Sequence, residues 1–186
     1  MKKALSFASI EILLTISVLL ILISAQIPTI SSFWQLRVLE KQANQILQDI
    51  ESVRCLALEK RESLRIEFYG SGNYYRFQTE QVGLGSTARY VTRNLSAFAG
   101  FPNFFGVSGV SYTDETGSLV QGSLNFGGTV TDGYGALTFS ASGTPSAGGH
   151  LVIIARKMPK GLVIIIKPVT GRARIGRVFL HYQPVP

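Results

Sequence analysis

Apolar side chains fill residues 7–27 almost without interruption, and Glu11 is the only charge among them. Such a run reaches the ~20 residues that a membrane-spanning helix requires. It leads through Pro28 into residues 31–61, which contain neither Gly nor Pro. There Leu39, Ala43, Ile46, Ile50, Val53 and Ala57 recur at alternating spacings of four and three. That period draws one apolar stripe, with Glu40, Lys41, Gln45, Gln48, Asp49 and Glu51 between its members. It predicts a helix with one face on a core and the other in water. The period then changes to two. Leu64-Arg65-Ile66-Glu67-Phe68 and Tyr75-Arg76-Phe77-Gln78 alternate around Gly70-Ser71-Gly72-Asn73, which predicts a β-hairpin. Residues 79–135 have no clean period, although 123–126 read as a short strand, and the aromatics of 98–105 read either as core filling, the commoner case, or as exposed contacts for a neighbouring subunit. Residues 136–140, 151–155 and 162–166 read as strands, and a last strand follows residue 171. A helix followed by antiparallel strands is an α+β order.

The N-terminus holds a chemical problem. Lys2 and Lys3 precede the apolar run, so they are expected to stay on the cytoplasmic side of a membrane and the C-terminal domain to face outward. A cleaved secretory signal fits poorly, because the run carries a carboxylate and Ser24-Ala25-Gln26 is a weak cleavage site. An acidic side chain in a membrane helix costs roughly 2.5–3.5 kcal/mol and asks for a partner. A cut after Ser6 would free an α-amine on Phe7 and make Glu11 the fifth residue of the mature chain. The amine of a neighbouring copy would then neutralise Glu11 and set the register of a helical assembly.

Charge is distributed unevenly. Residues 1–149 hold eleven Lys/Arg and eleven Asp/Glu, whereas residues 150–186 hold seven Lys/Arg and no acid. The net charge of +7 therefore belongs to the last fifth of the chain. A block of one sign reads either as a solvated basic edge or as a surface for an anionic partner. Arg172 and Arg174, two residues apart, would share one face of a strand. Lys160, Lys167 and Arg177 join them if turns bring them close. Such arginines suit phosphate contact.

Catalytic chemistry is not expected. His150 and His181 have no neighbouring Cys, Asp or Glu that would make a triad or a metal set, so they read as structural or exposed. Gly148-Gly149 is not followed by the Lys and Ser/Thr of a phosphate loop. No cofactor or metal is implied. Cys55 is the single cysteine, which excludes an internal disulfide, and it is expected on the apolar helix face.

Phe7-Ala8-Ser9-Ile10-Glu11-Ile12-Leu13-Leu14 resembles the processing signal of type IV pilins, and Pro28 stands where that family often has a proline. Ser6 stands where the family has Gly. Toward the other end, residues 137–149, Leu-Thr-Phe-Ser-Ala-Ser-Gly-Thr-Pro-Ser-Ala-Gly-Gly, resemble the F-x-x-x-G-x-P-x-x-G-G segment of the GspH/FimT group of minor pilins and pseudopilins. Gly171-Arg172-Ala173-Arg174 is similar to that group's C-terminal G-R-x-R. The resemblance implies a pilin-like α+β fold: a long N-terminal helix, with a transmembrane half and an amphipathic half, packed on a C-terminal antiparallel sheet domain. It divides the chain into a leader at 1–6, a transmembrane and assembly helix at 7–30, an amphipathic helix at 31–63 and a β-rich domain at 64–186. Ser6 and Phe7 would be the sites of processing and methylation by a prepilin peptidase, and Glu11 and Pro28 would serve assembly. The implied role is a subunit at or near the tip of a type IV pilus or type II secretion pseudopilus. Its partners would be other pilin or pseudopilin subunits, and it would be anchored in the inner membrane before it enters the filament. The alternative is a minor pilin that binds DNA during uptake through Arg172 and Arg174.

Overall fold

The computed structural model describes residues 2–80, 88–105, 110–113, 119–122, 124–126, 129–131, 133–156 and 160–181, excluding the side chains of 2–10, 23–32, 103, 105, 113, 119, 121, 129–131, 160 and 178–181. The chain divides into two compact units, Met1–Leu36 and Arg37–Pro186. Helix α1 (Lys2–Lys60) contributes to both. In the second unit its stripe is the buried face: Leu39, Ala43, Ile46, Ile50, Val53 and Ala57 are all 0–1% exposed. The helix stops in a left-handed cap. Arg61 has φ 54°, and the Glu62 N–H donates to the Ala57 carbonyl at 3.2 Å, five residues back, which is Schellman geometry.

Among the described residues, twelve strands follow. They are β1 (Leu64–Tyr69), β2 (Tyr74–Glu80), β3 (Arg89–Asn94), β4 (Ala99–Gly100), β5 (Ser111–Thr113) and β6 (Leu119–Gln121), then β7 (Leu124–Phe126), β8 (Thr129–Thr131), β9 (Tyr134–Phe139), β10 (Gly149–Ala155), β11 (Lys160–Ile166) and β12 (Ala173–His181). One four-stranded sheet has the order β3-β2-β1-β9. The other, eight-stranded, runs β6-β5-β12-β11-β10-β7-β8, with β4 pairing beside it on β10. The hairpin register sets Ile66 opposite Phe77 and Phe68 opposite Tyr75, so the alternation in sequence becomes one apolar face.

One core joins the helix stripe to both sheets, through Leu64, Ile66 and Phe68 of β1, Leu137 and Phe139 of β9, and Leu151, Ile153, Leu162 and Ile164 of β10 and β11. A second cluster, Val152, Ile154 and Val163 with Val110 and Tyr112, covers the opposite face of β10 and β11. Those two strands are buried on both sides, which explains why their sequences are continuous apolar runs rather than alternations.

The fold departs from expectation in two respects. The strands make two sheets rather than one: the chain leaves the first sheet after β3, returns to it for β9, and leaves again through the turn at Gly143 (φ 72°) and Pro145. Among the described residues, moreover, no helix is long and apolar enough to cross a membrane. This overturns the transmembrane half of the expected fold, and with it the single-pass placement in an inner membrane. Cys55 also differs. It is exposed, because it lies two residues beyond Val53 and so falls near the opposite side of the helix.

Candidate functional site

The basic tail folds as the hairpin of β11 and β12. Its ladder continues one step past the strands, with the Lys167 N–H donating to the Arg172 carbonyl at 3.0 Å. Ile165 pairs with Arg174. Strand alternation therefore places Lys167, Arg172 and Arg174 on one face, and all three are exposed. Among the described residues Arg172 and Lys167 have no ion-pair partner. Arg177 does not join them. It is an odd number of positions from Arg174, on the helix-facing side, where its Nη2 lies 3.1 Å from Glu40 Oε1. Lys160 pairs with Phe179 at the far end of the ladder, about 20 Å along the strand from Ile166 at ~3.3 Å per residue. Its side chain lies outside the described residues. The five candidates thus reduce to a cluster of three.

The glycine-rich segments on either side of the sheets meet in space. Gly171 adopts φ 64°, and a Cβ there would lie 3.1 Å from the Gly143 carbonyl oxygen and from Pro145, and 3.2 Å from Phe139. Gly143, at φ 72°, lies against Leu58 of α1. Two polar ties from α1 hold this corner. Arg54 Nε donates to the Gly143 carbonyl at 3.3 Å, and Glu51 Oε1 accepts the Ala173 N–H at 3.3 Å. Arg54 and Glu51 also pair with each other at 3.2 Å. The glycines of both segments are therefore architectural. They let a turn and a hairpin close on the helix, and they hold Arg172 at the exposed end of that corner.

At the other end of the chain, Ile12, Leu13, Leu14, Ile16, Val18, Leu19, Leu20, Ile21 and Leu22 are 49–69% exposed. They occupy every side of the helix. Thr15 and Ser17 turn their hydroxyls onto the Ile12 and Leu13 carbonyls, at 2.8 and 2.7 Å, so the polar groups here are satisfied within the helix. Glu11 is exposed at the N-terminal edge of the stretch. Ser6, Phe7 and Pro28 lie on α1, and their side chains are outside the described residues.

Two polar constellations had no signal in the sequence beyond alternation. Buried Glu67 accepts hydrogen bonds from Arg76 Nε (2.5 Å), Tyr69 Oη (3.0 Å) and Tyr134 Oη (3.1 Å), and it lies 3.1 Å from Arg65 Nε. Asp49 accepts the Tyr75 hydroxyl at 2.6 Å and pairs with Arg93 at 3.4 Å. Burial, followed by the Asp49 hydrogen bond, pushes the Tyr75 phenol up, so it stays a donor. His150 is buried with Nε2 3.2 Å from the Gly122 carbonyl, and burial pulls its pKa down. The side chain of His181 lies outside the described residues. Of the aromatics in 98–105, Phe101 is in the core, whereas Phe98 and Phe104 are exposed. No protein-family model, curated protein or solved structure matches the chain.

Proposed function

We propose that the chain is a non-catalytic subunit of a helical filament of the pilin or pseudopilin kind, assembled through the N-terminal part of α1. The all-round apolar surface of residues 12–22 carries this reading. A helix that is apolar on every side needs to be surrounded. Helices of other subunits would supply that surrounding. Glu11 supplies the register: a cut between Ser6 and Phe7 by a prepilin peptidase would create the α-amine that pairs with it on a neighbouring copy. The test is recovery of the chain in filaments sheared from cells that make it. Glu11→Ala should remove it from the sheared fraction while the sheet domain stays folded by circular dichroism. Normal incorporation of that variant would sink the reading.

The exposed cluster of Lys167, Arg172 and Arg174 favours a second role, contact with DNA during uptake. Three cations on one face would hold phosphates without reading sequence. The logarithm of affinity should then fall with the logarithm of salt at a slope near −3, at about −0.9 per phosphate. A mobility shift with the full chain and with Arg172→Ala/Arg174→Ala checks this, and equal shifts from both would remove the role.

A further inference from the structure

The four-stranded sheet ends at β3, and among the described residues no strand pairs with its outer edge. All six residues of β3 are exposed. Pairing with Phe77 and Tyr75 puts Val91 and Arg93 on the helix-facing side, and Tyr90 and Thr92 on the other. Beside the first side lies a polar groove of about 490 Å³, lined by Lys41, Asn44, Gln45, Gln48 and Asp49 of α1 and by Arg93.

The charges of the groove indicate what it takes. Asp49 is already engaged by the Tyr75 hydroxyl and Arg93. Lys41 is exposed and, among the described residues, has no ion-pair partner. Arg93 and Asp49 balance each other, and the groove therefore offers the charge of Lys41 and three side-chain amides. We propose that the edge of β3 accepts an extended acidic segment of a partner protein as an added strand. Such a strand would lie about 4.8 Å from β3 and send every second side chain toward the groove. Backbone hydrogen bonds to the open edge would supply affinity, and the groove would supply selectivity for Asp or Glu. Its other side chains would lie beside Tyr90, whose ring is held by Arg76 at 4.6 Å. A second copy of β3 fits worse. Antiparallel pairing about the middle of the strand would bring Arg89 of one copy near Arg93 of the other, and facing like charges are destabilising. The edge and groove lie within residues 37–186, so the site is independent of what the apolar helix stretch does.

The test is fluorescence anisotropy of the full chain with labelled octapeptides of alternating Thr and Glu, or of alternating Thr and Lys. Binding of the Glu peptide alone is expected. Charge reversal at exposed Lys41 (Lys41→Glu) should weaken it about tenfold. Two further Glu peptides carry backbone N-methyl groups on alternate residues, one set on the even positions and one on the odd. Strand addition requires that one set loses binding and the other keeps it, because only every second N–H faces the edge. Equal binding of the Glu and Lys peptides, equal behaviour of the two methylated sets, no change in Lys41→Glu, or no peptide binding would each overturn the proposal. So would a Thr92→Cys variant that forms disulfide-linked copies through residue 92, since a second copy would then occupy the edge.

Discussion

Glu67 is 5% exposed, yet it is ionised beneath a layer of tyrosine and arginine side chains. Burial alone pushes its carboxyl up. The hydrogen bonds from Arg76, Tyr69 and Tyr134, with the charge of Arg76, outweigh burial and hold it below its ordinary 4.5. A carboxylate depressed in the fold stabilises it above that ordinary value, and the stability is lost as pH falls through the folded-state value. Glu67→Gln should therefore cost about 1–3 kcal/mol near neutral pH and flatten the acid limb of the profile, read by thermal melts between about pH 3 and about pH 7. A steeper acid limb in the variant would contradict this. Tyr69 is tied to the same group. Burial first, and then its bond to Glu67, push the phenol up to about 12. The stability it carries is present below pH 10, its ordinary value, and is lost above it as pH climbs through about 12. None of this was legible in the sequence, where Glu67 reads as an ordinary outward residue of an alternating strand. Its partners come from β1, β2 and β9, and only the sheet register brings them together.

Among the elements, the end of α1 carries a strained cap. Arg61 takes a left-handed conformation that favours Gly. Arg61→Gly should stabilise the chain by up to about 1 kcal/mol, which corresponds to a rise of about 2–4 °C in the melting midpoint for a chain of this size. The opposite holds at the corner, where Gly171→Ala would force a Cβ into that conformation within 3.1–3.2 Å of three neighbouring atoms. A fall in the midpoint of several degrees is expected from calorimetry, and an unchanged midpoint would show that the corner is looser than described. Elements with a strict local period were legible: the stripe from Leu39 to Ala57 and the β1–β2 hairpin follow from spacing alone. The division into two sheets was not, because β10 and β11 carry no alternation that would show they are covered on both faces. The basic cluster was half legible. Spacing put Arg172 and Arg174 together, but only the ladder excludes Arg177 and brings in Lys167.

At the scale of the whole molecule, the exposed apolar girdle of residues 12–22 and the folded sheet domain make opposite demands on solvent. The proposed assembly would reconcile them. Leu13→Glu/Leu20→Glu should convert concentration-dependent assemblies into monomers in sedimentation, with the melting midpoint of the sheet domain unchanged. Persistence of the assemblies would place the contact elsewhere. The run of apolar residues invited a membrane span, and hydropathy alone could not separate a lipid coat from a protein one.

The tie between Glu51 and Ala173 joins residues 122 positions apart in sequence, and that between Glu40 and Arg177 joins residues 137 apart. The chain must be synthesised through β12 before both can form. The stripe of α1 finds its covering residues on β1, β9, β10 and β11, all of which precede β12 in the chain, and β12 adds these two polar ties. Long-range closure of this kind is slow and prone to off-pathway association. Ribosome-stalled chains that stop before β9 should accordingly remain digestible by protease along α1, and chains that extend past β12 should resist. Strand β12 is the latch on α1.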